Sequence, residues 1–117
     1  PRNTNMLMWK GNLWLIDHSA SFIFHHNWQN GWDGKRPFPL IKKHVMISGA
    51  PRLVDADNEF KAKLNRPVFE SIVSLIPDHW LNQDKAFAST DENRKAYTDF
   101  LVSRFEYSSE FIKEAAL

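Results

Sequence analysis

An asparagine and an aspartate flank a stretch of the N-terminal sequence that has the pattern of a β-hairpin. Asn5 precedes the apolar run 6–9, and Asp17 directly follows the apolar run 13–16. The dipeptide Gly11-Asn12 between the runs supplies the positive φ of a tight turn, so both polar side chains are expected at one end of the hairpin. Amide and carboxylate oxygens are ligands for Mg²⁺, the ion that phosphoryl transfer requires beside the phosphates. The pattern indicates a candidate magnesium site, while the same residue types also flank many hairpins as turn and capping residues.

Protein kinases carry these two residue types in the same order along the chain. In kinases an asparagine ends the catalytic loop, an aspartate ends the hairpin that follows, and both hold the metal ions beside the β- and γ-phosphates. The chain further resembles the C-terminal part of the HipA-like kinase family, which is named for a toxin kinase. The resemblance covers most of residues 1–45 and more loosely the helical remainder. The segments that carry it are 1–7 (PRNTNML), 13–18 (LWLIDH), 24–26 (FHH) and 37–42 (PFPLIK).

The resemblance implies the C-lobe of a two-lobed Ser/Thr kinase, with Mg²⁺ and ATP bound in the full-length parent. Asp17 then corresponds to the metal-binding aspartate of the family's DFG-like motif, and Asn5, or alternatively Asn3, to the catalytic-loop asparagine. His18 and Ser19 are neighbours in the motif. Ser19 stands where the family usually has glycine, and a serine restricts a backbone position that often needs permissive φ and ψ.

The other catalytic parts of the family fall outside this sequence. Its catalytic-base aspartate precedes the asparagine by several residues, which puts it upstream of Pro1, and its N-lobe lysine and phosphate-covering loop lie further upstream. The polar start of the chain runs into a strand pattern without an initiator Met. We therefore expect residues 1–117 to be one domain, the C-terminal fragment of a HipA-like kinase C-lobe. It should be inactive and bind no cofactor by itself, and its partner should be the missing N-terminal part of the same protein.

Charge and composition argue against several other classes of protein. Lys and Arg number 15 against 14 Asp and Glu, and the net charge of +1 is too small for the electrostatic footprint of nucleic-acid binding. No apolar run in the sequence approaches the roughly 20 residues needed to cross a bilayer. Without cysteine there is no disulfide framework and no thiolate zinc site. We expect a soluble protein with no membrane partner, with the cytoplasm as the default compartment.

Four tryptophans near the N-terminus support a rival hypothesis from another class. Trp9, Trp14, Trp28 and Trp32 are difficult for a small domain to bury together, and contiguous exposed aromatic residues mark interaction surfaces. The rival protein is a small helical protein-interaction module that binds a protein partner through these aromatic residues, with Asp17 as a turn cap. The alternative for the tryptophans themselves is an ordinary core.

Histidines offer a second candidate metal site, which the pattern does not favour. His18, His25 and His26 could join Asp17 around one ion. A short strand is possible over residues 22–24, and adjacent residues of a strand point to opposite faces, so His25 and His26 are not expected to share a ligand. His18 is better explained as a motif neighbour that packs beside Asp17.

Lysines and arginines at 35–36 and 42–43 form a small basic cluster. Such a cluster could bind a substrate phosphate or an acidic peptide, or it could be solvated surface. The sequence leaves both open.

The remaining sequence predicts helices, so the fold class is mainly α with a small N-terminal β-hairpin that packs on the helical body. Residues 55–64 have helical composition, and Pro67 suits the first turn of the next helix. Ser89 and Glu92 have the spacing of a capping box before one long helix or a pair. The predicted core residues are Phe69, Ile72, Val73, Ile76, Phe100, Leu101 and Phe105.

Overall fold

The computed structural model describes residues 5–49 and 51–116 of the chain. A two-stranded antiparallel hairpin, β1 (Met6–Trp9) and β2 (Asn12–Leu15), precedes short 3₁₀ helices at Ser19–His26, Trp28–Asn30, Pro39–Lys43 and Ile47–Gly49. The α-helices that follow are α1 (Leu53–Lys63), α2 (Arg66–Val73), α3 (Asp78–Leu81), α4 (Thr90–Glu106) and α5 (Ser108–Ala116). The expectation of a mainly helical protein with an N-terminal hairpin is confirmed.

A two-residue loop closes the hairpin one position earlier than the sequence predicts. Trp9 is opposite Asn12, which leaves Lys10 and Gly11 as the loop. Their φ angles are 49° and 77°, and positive φ at both central residues is the feature of type I′ turns that matches the twist of the strands. The positive-φ pair is therefore Lys10 and Gly11, whereas the sequence predicts Gly11 and Asn12.

Both faces of the hairpin are apolar, and the described residues cover neither of them. Met8 pairs with Leu13 on one face, and Leu7 pairs with Trp14 on the other. All residues from Leu7 to Ile16 are exposed. The prediction that the hairpin packs on the helical body is wrong for these residues, because the helices pack on one another and on the 3₁₀ segments instead. A hairpin of two strands is marginally stable by itself, so contacts at its open end must hold it.

Capping side chains set where two of the helices begin. The Asn65 side chain accepts a hydrogen bond from Val68 N at 3.1 Å at the start of α2. At the start of α4, Ser89 Oγ accepts from Glu92 N at 3.2 Å, and the Glu92 carboxylate accepts from Ala88 N at 2.9 Å. The predicted capping box is thus confirmed. Within the described ranges, none of the helices is both long and apolar enough to cross a membrane.

The packing of α2 on α4 buries two apolar residues of α2. Phe69 is 7% exposed and its ring centroid lies 5.6 Å from that of Phe105. Val73 is also buried, as the sequence predicts, but Ile72 is 52% exposed. Ile72 was expected in the core because it continues the helical period, yet it lies on the side of α2 that faces away from α4. The other four predicted core residues, Ile76, Phe100, Leu101 and Phe105, are half-buried.

An aromatic cluster attaches the 3₁₀ segments to α4. The ring centroid of Phe24 lies 4.0 Å from that of Phe100, and the ring centroid of Trp28 lies 5.0 Å from that of Tyr97. Aromatic pairs at such separations contribute beyond the area they bury. The possible strand at 22–24 is wrong, since these residues belong to the 3₁₀ helix Ser19–His26. The whole cluster comprises Phe22, Phe24, Trp28, Trp32, Phe87, Tyr97 and Phe100.

The four tryptophans therefore do not form one exposed surface. Trp28 and Trp32 are half-buried in the aromatic cluster, where the ring centroid of Trp32 lies 5.5 Å from that of Phe100. Trp9 and Trp14 are exposed on the hairpin. The prediction of a partner surface made of all four tryptophans is wrong. The two hairpin tryptophans remain as candidates for contact with a partner.

Substitutions on two successive turns of α2 test this description of the core. Phe69→Ala should lower the free energy of unfolding by about 3 kcal/mol, because it removes a buried ring that packs on Phe105. The matched change Ile72→Ala should cost less than about 1 kcal/mol, because its side chain is exposed. Urea unfolding of both variants measures the difference, and equal losses would mean that Ile72 is packed as tightly as Phe69.

Candidate functional site

The open end of the hairpin brings together the two residues that the sequence predicts as metal ligands. Met6 pairs with Leu15, and beyond this pair Ile16 N donates to the carbonyl of Asn5 at 2.8 Å. The Asn5 side chain then donates from Nδ2 to the main-chain carbonyl of Asp17. Asn5 and Asp17 are thereby joined across the 12 positions that separate them in the sequence. Asn3, the alternative ligand, lies outside the described residues.

Asp17 has an unusual backbone conformation. Its φ is 50°, in the left-handed region that few residues other than glycine adopt and that aspartate and asparagine tolerate best. The chain changes direction here, leaving the strand and entering the 3₁₀ helix at Ser19, where Ser21 N donates to His18 O at 2.9 Å. The backbone of Ser19 is helical, a conformation that serine adopts without strain. The expected backbone restriction thus falls on Asp17 and not on Ser19.

The donor atoms at the hairpin end suit a hard cation. Asn5, Asp17 and His18 are exposed to solvent. The two side chains carry oxygen atoms of the hard type, Oδ1 in Asn5 and the carboxylate in Asp17. Mg²⁺ is held in proteins by one or two such groups together with water and substrate phosphates. The donor types of Asn5 and Asp17 are thus those that Mg²⁺ binds.

A metal site built only from protein side chains is not found in the described part of the chain. Within residues 5–49 and 51–116, no three His, Asp or Glu side chains are grouped so that they could hold an ion together. His18, His25 and His26 do not assemble such a group with Asp17. The prediction that His25 and His26 point to opposite faces of a strand is nevertheless wrong. They lie on a 3₁₀ helix with ring centroids only 4.3 Å apart.

His25 is part of the packing against α4. Its Nδ1 lies 3.0 Å from the hydroxyl of Tyr97, within hydrogen-bond distance. Burial lowers the pKa of His25 and the neighbouring His26 lowers it further, whereas Asp84 acts in the opposite direction. Burial also raises the pKa of Tyr97, and Asp84 adds to that rise. The geometry favours a neutral imidazole that helps to hold the Ser19–His26 segment on α4.

Two lysines of the basic cluster are engaged by other groups. Lys42 forms an ion pair with Glu114 of α5, with 3.6 Å between Nζ and the carboxylate. Nζ of Lys35 lies 4.4 Å from the centroid of the Tyr107 ring. These two cations contribute to packing as well as to surface charge.

Sequence reasoning missed Arg104, which joins α4 to the loop before the 3₁₀ helix Pro39–Lys43. Its Nη1 donates to the carbonyl of Gly34 at 3.1 Å and to that of Arg36. Gly34 permits the close approach, since a Cβ at that position would lie 2.8 Å from the main-chain carbon of Ser103. The one available signal was an arginine set among the apolar residues of a helix, and no spacing rule connects it to residues 34–36.

No protein-family model, no curated protein and no solved structure matches this chain. A functional assignment therefore depends on the residues and geometry of the hairpin end and on the resemblance of its sequence.

The backbone of Asp17 predicts an inverted order of stability for two small substitutions. Alanine normally stabilises a folded chain relative to glycine, but at φ near 50° alanine is strained and glycine is not. Asp17→Ala should therefore be less stable than Asp17→Gly by about 1 kcal/mol, although both lack the carboxylate. Thermal or urea unfolding measures the difference. An alanine variant as stable as the glycine variant would contradict the left-handed conformation.

The lowered pKa of His25 predicts a stability that falls in mild acid. Between the lowered folded pKa and the ordinary value of 6.5, the unfolded chain binds a proton that the folded chain resists. Stability should therefore be greatest above about pH 6.5 and decline as the pH falls below it. Urea midpoints from about pH 7.5 to about pH 5.5 measure the decline. His25→Gln should weaken this dependence more than the control His79→Gln, which changes an exposed histidine. Identical pH profiles for the two variants would contradict the assignment to His25.

Proposed function

We propose that this chain forms the C-terminal section of the C-lobe of a HipA-like kinase, in which Asn5 and Asp17 hold Mg²⁺ for ATP-dependent phosphoryl transfer. The observation that supports this most strongly is the hydrogen bond from the Asn5 side chain to the main chain of Asp17. The two residues that meet there are the same two that the resemblance names as the metal-binding asparagine and aspartate.

The chain's own residues would supply orientation and charge. The amide of Asn5 is oriented by its hydrogen bond to residue 17, and Asp17, which is exposed to solvent, contributes a carboxylate. A bound Mg²⁺ would neutralise the charge of the β- and γ-phosphates. Positioning and charge stabilisation account for nearly all catalysis of phosphoryl transfer, so fixing Asp17 is the main task of this part of a kinase.

The aromatic cluster supports that positioning. Asp17 is separated by one residue from the 3₁₀ helix Ser19–His26, whose Phe24 packs on Phe100 of α4. The segment that leaves Asp17 is thus attached to α4, the longest helix among the described residues. On this proposal the helices act as scaffold, and the catalytic base and N-lobe come from the preceding part of the same polypeptide.

The central test is an assay of ATP-dependent phosphoryl transfer. The longer polypeptide that includes the sequence before Pro1 should be active, and Asp17→Asn should reduce its activity by more than about 100-fold, because even outer-shell partners of a metal are worth 10–100-fold. The matched control Glu106→Gln changes an exposed carboxylate of α4 and should leave activity unchanged. The 117-residue chain alone should show no turnover above background. An active Asp17→Asn variant, or turnover by the short chain that Asp17→Ala abolishes, would contradict the proposal.

A second candidate function, protein interaction, is favoured by the exposed apolar faces of the hairpin. Trp9 and Trp14 are 57% and 53% exposed, and their neighbours on both strands are similarly exposed. A kinase and an interaction module differ in what covers these faces. In the kinase it is another part of the same polypeptide, and in the module it is a separate protein.

Fluorescence quenching distinguishes the two functions. The contribution of Trp14 is obtained as the difference between the protein and Trp14→Phe. If the chain is part of a kinase, acrylamide should quench the fluorescence of Trp14 in the 117-residue chain. It should quench Trp14 much less in the longer polypeptide, where another part of the protein covers the hairpin. Equal quenching in both would favour the interaction module over the kinase.

A further inference from the structure

An apolar cavity of about 350 Å³, partly open to solvent, lies among the 3₁₀ helix Pro39–Lys43, α1, α4 and α5. Its apolar lining consists of Phe38, Ile41, Leu53, Phe111, Ile112 and Ala115. The only charged side chain in the lining is Arg104 of α4. Apolar walls with a small number of polar groups are typical of sites that bind small molecules, and proteins hold such ligands in cavities of roughly 300–1,000 Å³.

Arg104 uses part of its hydrogen-bonding capacity within the protein. A guanidinium has five N–H donors, and Nη1 supplies its two to the carbonyls of Gly34 and Arg36. Nε and Nη2 donate to no acceptor among the described residues, and no carboxylate in those ranges lies within ion-pair distance of Arg104. Asp33 favours the charged guanidinium but forms no ion pair with it, so an anionic ligand would add a direct partner on this edge.

The guanidinium is held in a fixed orientation and remains charged. It lies 4.5 Å from the centroid of the Phe111 ring, and the two carbonyl bonds fix its other side. Burial lowers the pKa of Arg104 and Asp33 opposes that shift, but an arginine is not deprotonated in proteins. The edge formed by Nε and Nη2 is therefore a preformed fork of two donors, the arrangement that binds a carboxylate through two parallel hydrogen bonds.

The charge around the cavity also favours an anion. Lys42 and Lys43 belong to the same 3₁₀ helix as Ile41, and Arg36 lies three residues before that helix begins. Glu114 of α5 is the acidic residue paired with this group, through Lys42. The basic residues of this stretch, Arg36, Lys42 and Lys43, outnumber the one acid paired with them and would attract a negatively charged molecule.

We propose that this cavity binds a small apolar carboxylate, with the carboxylate on the Nε and Nη2 edge of Arg104 and the alkyl or aryl chain among the apolar side chains. This site is separate from the hairpin end and does not depend on the kinase-like function.

Three probes of equal chain length test the class of ligand. Octanoate, 1-octanol and octylamine are titrated by calorimetry into the 117-residue chain. Octanoate should bind at least about tenfold more tightly than 1-octanol, because a charge-assisted pair of hydrogen bonds is added to the same apolar contacts. Octylamine should bind no better than 1-octanol. Equal affinity for octanoate and 1-octanol, or no detectable binding of octanoate, would overturn the proposal.

Two variants and a control locate the binding. Ala115→Phe fills the cavity without touching Arg104 and should weaken octanoate binding at least about tenfold. Arg104→Gln should abolish the preference for octanoate over 1-octanol. Lys113→Gln removes an exposed cation of the same helix as Ala115 and should bind octanoate like the unmodified protein. Unchanged octanoate binding by Ala115→Phe would overturn the proposal even if Arg104→Gln does not fold.

Discussion

Aromatic contacts with α4 hold together the half of the chain that has little regular secondary structure. Phe24 packs on Phe100 and Trp28 packs on Tyr97 of this helix. Further along the same helix, Phe105 packs on Phe69 of α2. Few aliphatic side chains are fully buried among the described residues, so these ring contacts carry much of the packing. They also determine where the chain leaves the hairpin, because the segment that follows Asp17 is the one that they attach to α4.

The features that the sequence predicts correctly are those decided by residues close in the chain. Gly11 allows the tight turn of the hairpin, Pro67 lies in the first turn of α2, and the side chain of Ser89 bonds to the amide three residues later, so each is visible as a local pattern. The segment around Phe24 was misassigned as a strand, because a short apolar run has no period of its own. Its Phe24 packs on Phe100 of α4, a contact distant in sequence that no local pattern reports.

At the candidate site the topology was predictable and the backbone detail was not. A hairpin must bring Asn5 close to Asp17, whatever the side chains of its strands are. Which of the motif residues adopts positive φ depends on how the chain enters the next helix, and this residue is Asp17 rather than Ser19. Arg104 was missed for a similar reason, since its acceptors at Gly34 and Arg36 are distant in sequence.

The central claim is that Asn5 and Asp17 act together as ligands for a divalent cation beside a nucleotide. Its most direct test is electron paramagnetic resonance of Mn²⁺, a substitute for Mg²⁺, in the longer polypeptide with a non-hydrolysable ATP analogue. The claim predicts that Asp17→Asn and Asn5→Leu each weaken Mn²⁺ binding at least about tenfold, while Glu106→Gln does not. Wild-type Mn²⁺ affinity in Asp17→Asn would contradict it and would leave Asp17 as a structural turn residue.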